Sequence, residues 1–280
     1  MREVAIVGAG ELGGLSAHAL ARGNAANVVR LIDDNGRIAE GKALDLSQAA
    51  ATEGFATAVI GSTDILSAAG ADIIVIADRS RGGEWSGDEA LTLVRRLSAL
   101  APRALLLCAG TSHCELVEHS ARDLRIPRTR IFGSAGEAYV AAATAVVALE
   151  LDVSPRDVAL AVLGVPPRHA VICWEHASVA GFAMTSRISE PVRRQLSLKI
   201  NALWPPGPQA LAAAVAKVVD VVSGRSRRPI TCFIAPDDQT GVRSRAAALP
   251  VRLSAEGIIE VVKPELNAAE RVALENAMLL

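Results

Sequence analysis

With 280 residues, 51% of them hydrophobic, and a mean hydropathy of +0.32, the chain holds enough apolar side chains for one large core or two smaller ones. A formal net charge of -1 and a pI near 6.5 leave no basic footprint, which argues against nucleic acid or an anionic membrane surface as partner and leaves a small-molecule substrate or a protein partner open. Cys108, Cys114, Cys173 and Cys232 form no CxxC pair, and no apolar run is long enough to span a bilayer, so neither a metal site, a disulfide framework nor a membrane anchor is expected and a soluble cytoplasmic chain is.

In chain order, short apolar runs alternate with helical patterns through the first half. Strands are predicted at Val4–Val7, Val28–Ile32, Ala58–Ile60, Ile73–Ala77, Ala104–Cys108 and Ile131–Phe132. Helices fall between them at Leu12–Arg22, Ile38–Ala51, Asp64–Ala69, Asp88–Leu100 and Glu115–Leu124. This is the rhythm of an α/β fold, a Rossmann-type doubly wound parallel sheet. From Glu137 the run AYVAAATAVVALEL is apolar almost all round, which marks a buried helix at a domain or subunit interface. Strand-like segments at Val158–Leu163, Ala170–Trp174, Ile230–Ile234 and Pro250–Leu253 then come with fewer helices between them, as in a mixed α+β second domain. A long apolar helix is expected over Gln209–Val222, ended by Gly224, and Asn267 and Glu270 stand at capping-box spacing before a last amphipathic helix. The division is 1–136 and 137–280.

Gly8-Ala-Gly10-Glu11-Leu12-Gly13 follows the first strand and opens the first helix. In that setting the glycines permit a tight turn, close backbone approach to a pyrophosphate and packing of helix on sheet, and Glu11 and Leu12 belong to the same cofactor-binding turn. Asp33 ends the second strand twenty residues past Gly13, where a carboxylate accepts hydrogen bonds from an adenosine ribose. It also repels a 2′-phosphate, and neither Asp34 nor Asn35 supplies a cation, so NAD is favoured over NADP as cofactor.

Asp33 to Leu46 reads DDNGRIAEGKALDL, and with it the chain resembles the lactate/malate dehydrogenase family. The resemblance continues through IPRTRIFGSAG, LELDVSPRDVALAVLG, ASVAG and the C-terminal GIIEVVKPELNAAERVALENA. It implies an NAD-dependent 2-hydroxy-acid dehydrogenase, a Rossmann domain followed by a substrate domain, and a homodimer or homotetramer.

The same resemblance makes the substrate end conspicuous. The family's proton-transfer histidine sits two residues after the glycine matched by Gly164, and that position is Pro166 here. The family's orienting aspartate and substrate arginine match Tyr139 and Ala142, and its Asn-Pro after the fifth strand is replaced by Gly110-Thr111-Ser112, with Thr111 still able to hydrogen-bond the cofactor. The loop that carries substrate-clamping arginines reads DRSRGGEWSGDEAL, in which Arg79 or Arg81 takes the clamp's place, lies on a solvated loop, or reaches the cofactor's phosphates, since Arg79 also replaces the family's close-approach glycine there. His169, three residues past Pro166, is the candidate for relocated catalysis, and His113 beside Thr111 is a second. The readings left open are an NAD(H)-binding oxidoreductase whose usual catalytic set is replaced, a non-catalytic dinucleotide-binding or assembly protein on the same scaffold, and an enzyme for an uncharged or differently charged substrate.

Overall fold

A computed structural model describes residues 1–235 and 245–279. The first half forms β1 (Glu3–Val7), α1 (Glu11–Arg22), β2 (Val28–Ile32), α2 (Gly36–Glu53), β3 (Ala58–Ser62), β4 (Ile73–Ile76), the short strands β5 (Asp78–Arg79) and β6 (Gly83–Glu84), α3 (Gly87–Leu100), β7 (Leu105–Cys108), α4 (His113–Arg122) and β8 (Ile131–Gly133). Strands β3, β2, β1, β4, β7 and β8 lie side by side, all parallel, with the order reversing at β1 and β4. Such strands are buried on both faces, which is why IIVI and LLLC carry no polar alternation. At the reversal point the turns that leave β1 and β4 diverge, and that crevice is where a doubly wound sheet binds its ligand.

The second half adds α5 (Ala135–Leu151), β9 (Val158–Ala159), β10 (Val162–Val165), β11 (His169–Ile172), β12 (Ser178–Val179), β13 (Phe182–Ala183), α6 (Glu190–Asn201), α7 (Pro208–Val222), β14 (Ile230–Ile234), β15 (Ala247–Ser254), β16 (Gly257–Val261) and α8 (Ala268–Leu279). Strand β14 docks antiparallel on β8, so the parallel sheet runs on through β14, β15, β10 and β11, with β16 paired to β15, into one sheet of eleven strands among the described residues. One core crosses the division at residue 136: Leu12 and Leu20 of α1 share it with Val215 and Val219 of α7 and with Phe233 of β14.

Several expectations change here. The single strand expected over Val158–Leu163 is two: β9 joins β12 and β13 in a small separate sheet, whereas β10 enters the large one. The segment Asp64–Ala69 makes only a short 3₁₀ turn at Ile65–Ala68, capped by the Asp64 carboxylate on Leu66 N–H at 2.9 Å. Helix α6 was not anticipated, because Pro191 at its first turn and a mostly charged face hide a buried pair, Leu196 and Ile200. The apolar helix α5 buries one face, with Ala135 and Ala138 in the core common to both halves and Tyr139, Ala143 and Val147 in that of the second, while Ala141, Ala145 and Leu149 are exposed on the other. The Asn267 capping box forms, with Glu270 N–H donating to Asn267 Oδ1 at 2.9 Å and Asn267 N–H donating to Glu270 Oε2 at 3.1 Å. No helix among the described residues is long and apolar enough to cross a membrane.

Candidate functional site

The turn from β1 into α1 is held by its glycines. Gly8 adopts φ +111°, a conformation open to glycine, and a Cβ on Gly13 would lie 1.9 Å from the carbonyl oxygen of Gly8. Lys42 of α2 fixes the turn from beneath, its Nζ donating to the carbonyl of Gly10. Glu11 is exposed on the first turn of α1, and the Leu12 side chain points into the core. Gly8, Gly10 and Gly13 thus form the bare-backbone cradle that a pyrophosphate requires, with the positive end of the α1 dipole behind it.

At the end of β2 the Asp33 carboxylate is almost wholly buried and fully engaged. Oδ2 accepts from Ala9 N–H at 2.7 Å and Ser80 N–H at 2.9 Å; Oδ1 accepts from Asn35 N–H at 3.0 Å and the Ser80 hydroxyl at 2.6 Å. Burial pushes this acid up, but the hydrogen bonds outweigh it and hold the group at about 2. Beside it opens a cleft of about 540 Å³ whose lining includes Asp33, Ile65, Trp85, Leu93 and Arg96. Its largely apolar walls suit a flat heterocycle, and the buried indole N–H of Trp85 has no acceptor among the described residues.

A small hairpin lies across this groove. Strands β5 and β6 pair Asp78 with Glu84 and Arg79 with Gly83, and Gly82 and Gly83 turn the chain with φ of +104° and +73°. The Asp78 carbonyl accepts from Gly10 N–H at 2.9 Å, and its carboxylate accepts from Gly13 N–H at 2.9 Å. A Cβ on Gly10 would lie 2.3 Å from Asp78 Oδ2, so that carboxylate fills the space the second glycine leaves. The side chain that approaches the glycine turn is therefore that of Asp78, and Arg79 approaches it only through its backbone carbonyl. The Arg79 guanidinium turns back to Glu89 at 2.8 and 2.9 Å and lies 4.7 Å over the Trp85 ring, while Arg81 is exposed on the hairpin.

Thr111, expected at the cofactor, meets the other end of the hairpin. The Glu84 carboxylate accepts from Thr111 N–H at 2.8 Å, Thr111 Oγ1 at 3.1 Å, Ser112 N–H at 2.8 Å and Ser112 Oγ at 2.6 Å, just ahead of α4. Burial raises the Glu84 carboxyl, but the hydrogen bonds from the Ser112 hydroxyl and the Ser112 and Thr111 amides outweigh it and the net direction is downward. His113 lies fully buried beneath, its Nδ1 accepting from Gly110 N–H at 2.9 Å, so the ring is neutral with its proton on Nε2. Burial lowers its pKa despite the neighbouring Glu84 charge.

The far end of the groove is a smaller cavity of about 200 Å³ against the β10–β11 turn, with Pro166, Trp204 and Phe233 in its lining. Its described ionisable lining groups are Cys114, Glu115, Glu118 and Arg245. Arg245 stands 4.0 Å from Glu115, and burial pushes the Cys114 thiol up to about 12 while it donates to the Ala246 carbonyl at 3.2 Å. No histidine is among the described lining residues. His169 stands on β11 opposite Val165, and Tyr139 is buried, its hydroxyl donating to the Ile200 carbonyl at 3.2 Å.

The sequence reading missed Asp78, Ser80, Glu84, Lys42 and Arg245. The adjacent Gly82-Gly83 was a hairpin signal, but the pairing of Ser80 with Asp33 joins residues 47 positions apart and has no local signature. Gly8, Gly10, Gly13, Asp33 and the apolar cleft fit the adenosine and pyrophosphate of NAD in kind and in place, and the hairpin stands in front of them.

Comparison with known proteins agrees with that fit. Residues 2–84 match the family described as lactate/malate dehydrogenase, NAD binding domain, which makes NAD the cofactor of this half of the chain. The malate dehydrogenase of Thermomicrobium roseum is 32% identical over 299 residues, covering 99% of this chain and 94% of its own length; that of Desulforudis audaxviator is 30% identical over 99% and 95%. Among solved structures, malate dehydrogenase from Salinibacter ruber superposes with a TM-score of 0.86 at 23% identity over 98% of this chain and 93% of its own. A lactate dehydrogenase from Cryptosporidium parvum, complexed with lactic acid and nicotinamide adenine dinucleotide, gives 0.87 at 21% over 99% and 94%. These last two speak for the fold, and the full-length relatives for descent: the chain belongs to the lactate/malate dehydrogenase family.

Proposed function

We propose that this chain is an NAD(H)-binding member of the lactate/malate dehydrogenase family in which ordinary 2-hydroxy-acid oxidation has been lost. The observation that carries the reading is Pro166, a residue without a titratable group, at the turn where the resemblance expects the proton-transfer histidine. Bound NAD supplies hydride acceptance and donation; proton transfer and substrate binding fall to the protein's own side chains.

Those side chains support the loss. Tyr139 is committed to Ile200 inside the core, and burial raises its hydroxyl further above an already high pKa. His113 is neutral and buried, and His18 and His119 are paired with Glu53 and Asp123 on the surface. In the far cavity Arg245 stands 4.0 Å from Glu115, so the guanidinium among its described lining groups already faces a carboxylate, which does not favour an anionic 2-oxo acid. The homodimer or homotetramer implied by the resemblance belongs to the same proposal and is read by sedimentation velocity.

An assay following NADH at 340 nm with malate, lactate, oxaloacetate and pyruvate tests the loss. Turnover below about 0.01 per second is expected for every pair; turnover near roughly 10 per second, the ordinary enzymatic range, would overturn the reading.

A further inference from the structure

The groove at the carboxyl edge of the parallel sheet offers three polar stations in a row, and one hairpin engages all three. At the β1–α1 turn, Asp78 takes the N–H groups of Gly10 and Gly13 through its carbonyl and carboxylate. At the end of β2, the Ser80 amide and hydroxyl take one lone pair on each Asp33 oxygen. At the β7–α4 turn, Glu84 takes the N–H and hydroxyl of both Thr111 and Ser112. A dinucleotide running along this edge needs the same groups in the same order: a carboxylate for its ribose hydroxyls, bare glycine N–H groups for its pyrophosphate, and donors near the nicotinamide end.

We propose that the hairpin Asp78–Glu84 is a built-in competitor for the dinucleotide, with the Asp78 carboxylate standing where a phosphate binds, Ser80 where a ribose hydroxyl binds and Glu84 over the β7–α4 turn. NAD(H) therefore binds only as the hairpin withdraws. This rests on the NAD reading above and adds the regulation of that site.

The chemistry favours mutual exclusion over shared occupancy. Asp33 receives two donors on each oxygen, so a ribose diol displaces Ser80 to reach it. The Asp78 carboxylate lies in the space above Gly10, where a pyrophosphate would be both sterically blocked and electrostatically repelled. The hairpin is also braced within itself and against the start of α3, where Arg79 donates to Glu89 at 2.8 Å. Arg79 stacks on Trp85 and donates to the Gly82 carbonyl at 3.1 Å, and Gly87, with φ +57°, marks the start of α3 just beyond it. For a site open only a fraction of the time, apparent affinity falls by that fraction, and loosening the closed form restores it.

Isothermal titration with NADH compares the unaltered chain with Asp78→Gly/Ser80→Ala/Glu84→Ala, and with the milder Ser80→Ala/Glu84→Gln in case the first does not fold. At least about tenfold tighter binding is expected for either folded variant. In parallel, hydrogen exchange on the unaltered chain should show the Ser80 amide losing protection on adding saturating NADH while the Gly13 amide keeps it. Equal, tight binding by the original chain and the variants, or a Ser80 amide still protected in saturating NADH, would overturn the competitor and leave the NAD reading standing. No saturable binding by any of the three would overturn the NAD reading and the competitor with it.

Discussion

At the β2 end of the groove, a carboxylate accepts four hydrogen bonds, three glycines hold a turn that no side chain could share, and a cleft of about 540 Å³ opens beside them. At the β10 end, a proline, a half-buried thiol, two carboxylates and a guanidinium are among the described residues around about 200 Å³. One sheet edge carries both, so fold alone does not separate them. What separates them is the kind of constraint each obeys. The cradle is tied into backbone geometry, with a Cβ on Gly13 falling 1.9 Å from the Gly8 carbonyl oxygen, whereas Cys114, Glu115 and Arg245 at the far end are half-buried or exposed, where substitution disturbs little packing.

If that contrast holds, the largest response to substitution belongs to Gly13→Ala. Its Cβ would fall 1.9 Å from the Gly8 carbonyl oxygen, a backbone atom with nowhere to go, and urea unfolding should show a loss of about 3 kcal/mol. A variant within about 0.5 kcal/mol of the original would mean that the turn is not fixed as described. Asp33→Ala comes next. Ala9, Asn35 and Ser80 lose the acceptor that ties the β1 turn, the β2 end and the hairpin together, for a loss of about 2 kcal/mol by the same measurement.

Acid sharpens the comparison without deleting a side chain. Asp33, near 3.8 when unfolded, titrates at about 2 in the folded chain, and Glu84 is lowered from 4.5. Folded-state pKa values below the unfolded ones give stability that is present above the unfolded values and lost as pH falls through the folded ones. Unfolding free energy should therefore decline from pH 4.5 toward 2, with a shallower decline in Asp33→Asn/Glu84→Gln. An unchanged slope in that variant would remove these two groups from the account. The smallest effect is expected at the far end. His169→Ala, on a half-buried strand position, should shift stability by less than about 1 kcal/mol and leave NADH affinity unchanged.

Much of the parallel sheet was legible because its signals are local. The IIVI and LLLC runs, the glycine spacing before α1 and the Asn267–Glu270 box each fix an element within a few residues, and Val28–Ile32 and Ile230–Ile234 lie where the pattern predicts them. The site was half legible for the same reason. Gly8, Gly10, Gly13 and Asp33 announce themselves by spacing, whereas Asp78 meeting Gly13 and Glu84 meeting Ser112 are contacts across 65 and 28 residues. A stretch such as DRSRGGEW reads as a polar loop because its hydrogen-bonding partners lie on other turns of the sheet edge. Helix α6 stayed hidden because its only fully covered residues are Leu196 and Ile200, too few to impose a period on the sequence.

The most direct measurement of the central contrast is a crystal structure of the chain with NADH. Adenosine is expected on Asp33 and in the cleft beside Trp85, with the hairpin lifted from Gly13 and Asp33 and no imidazole within about 3.5 Å of the space facing the nicotinamide C4. A His169 or His113 ring pointing at that carbon would contradict it, as would NADH seated with Ser80 still bonded to Asp33.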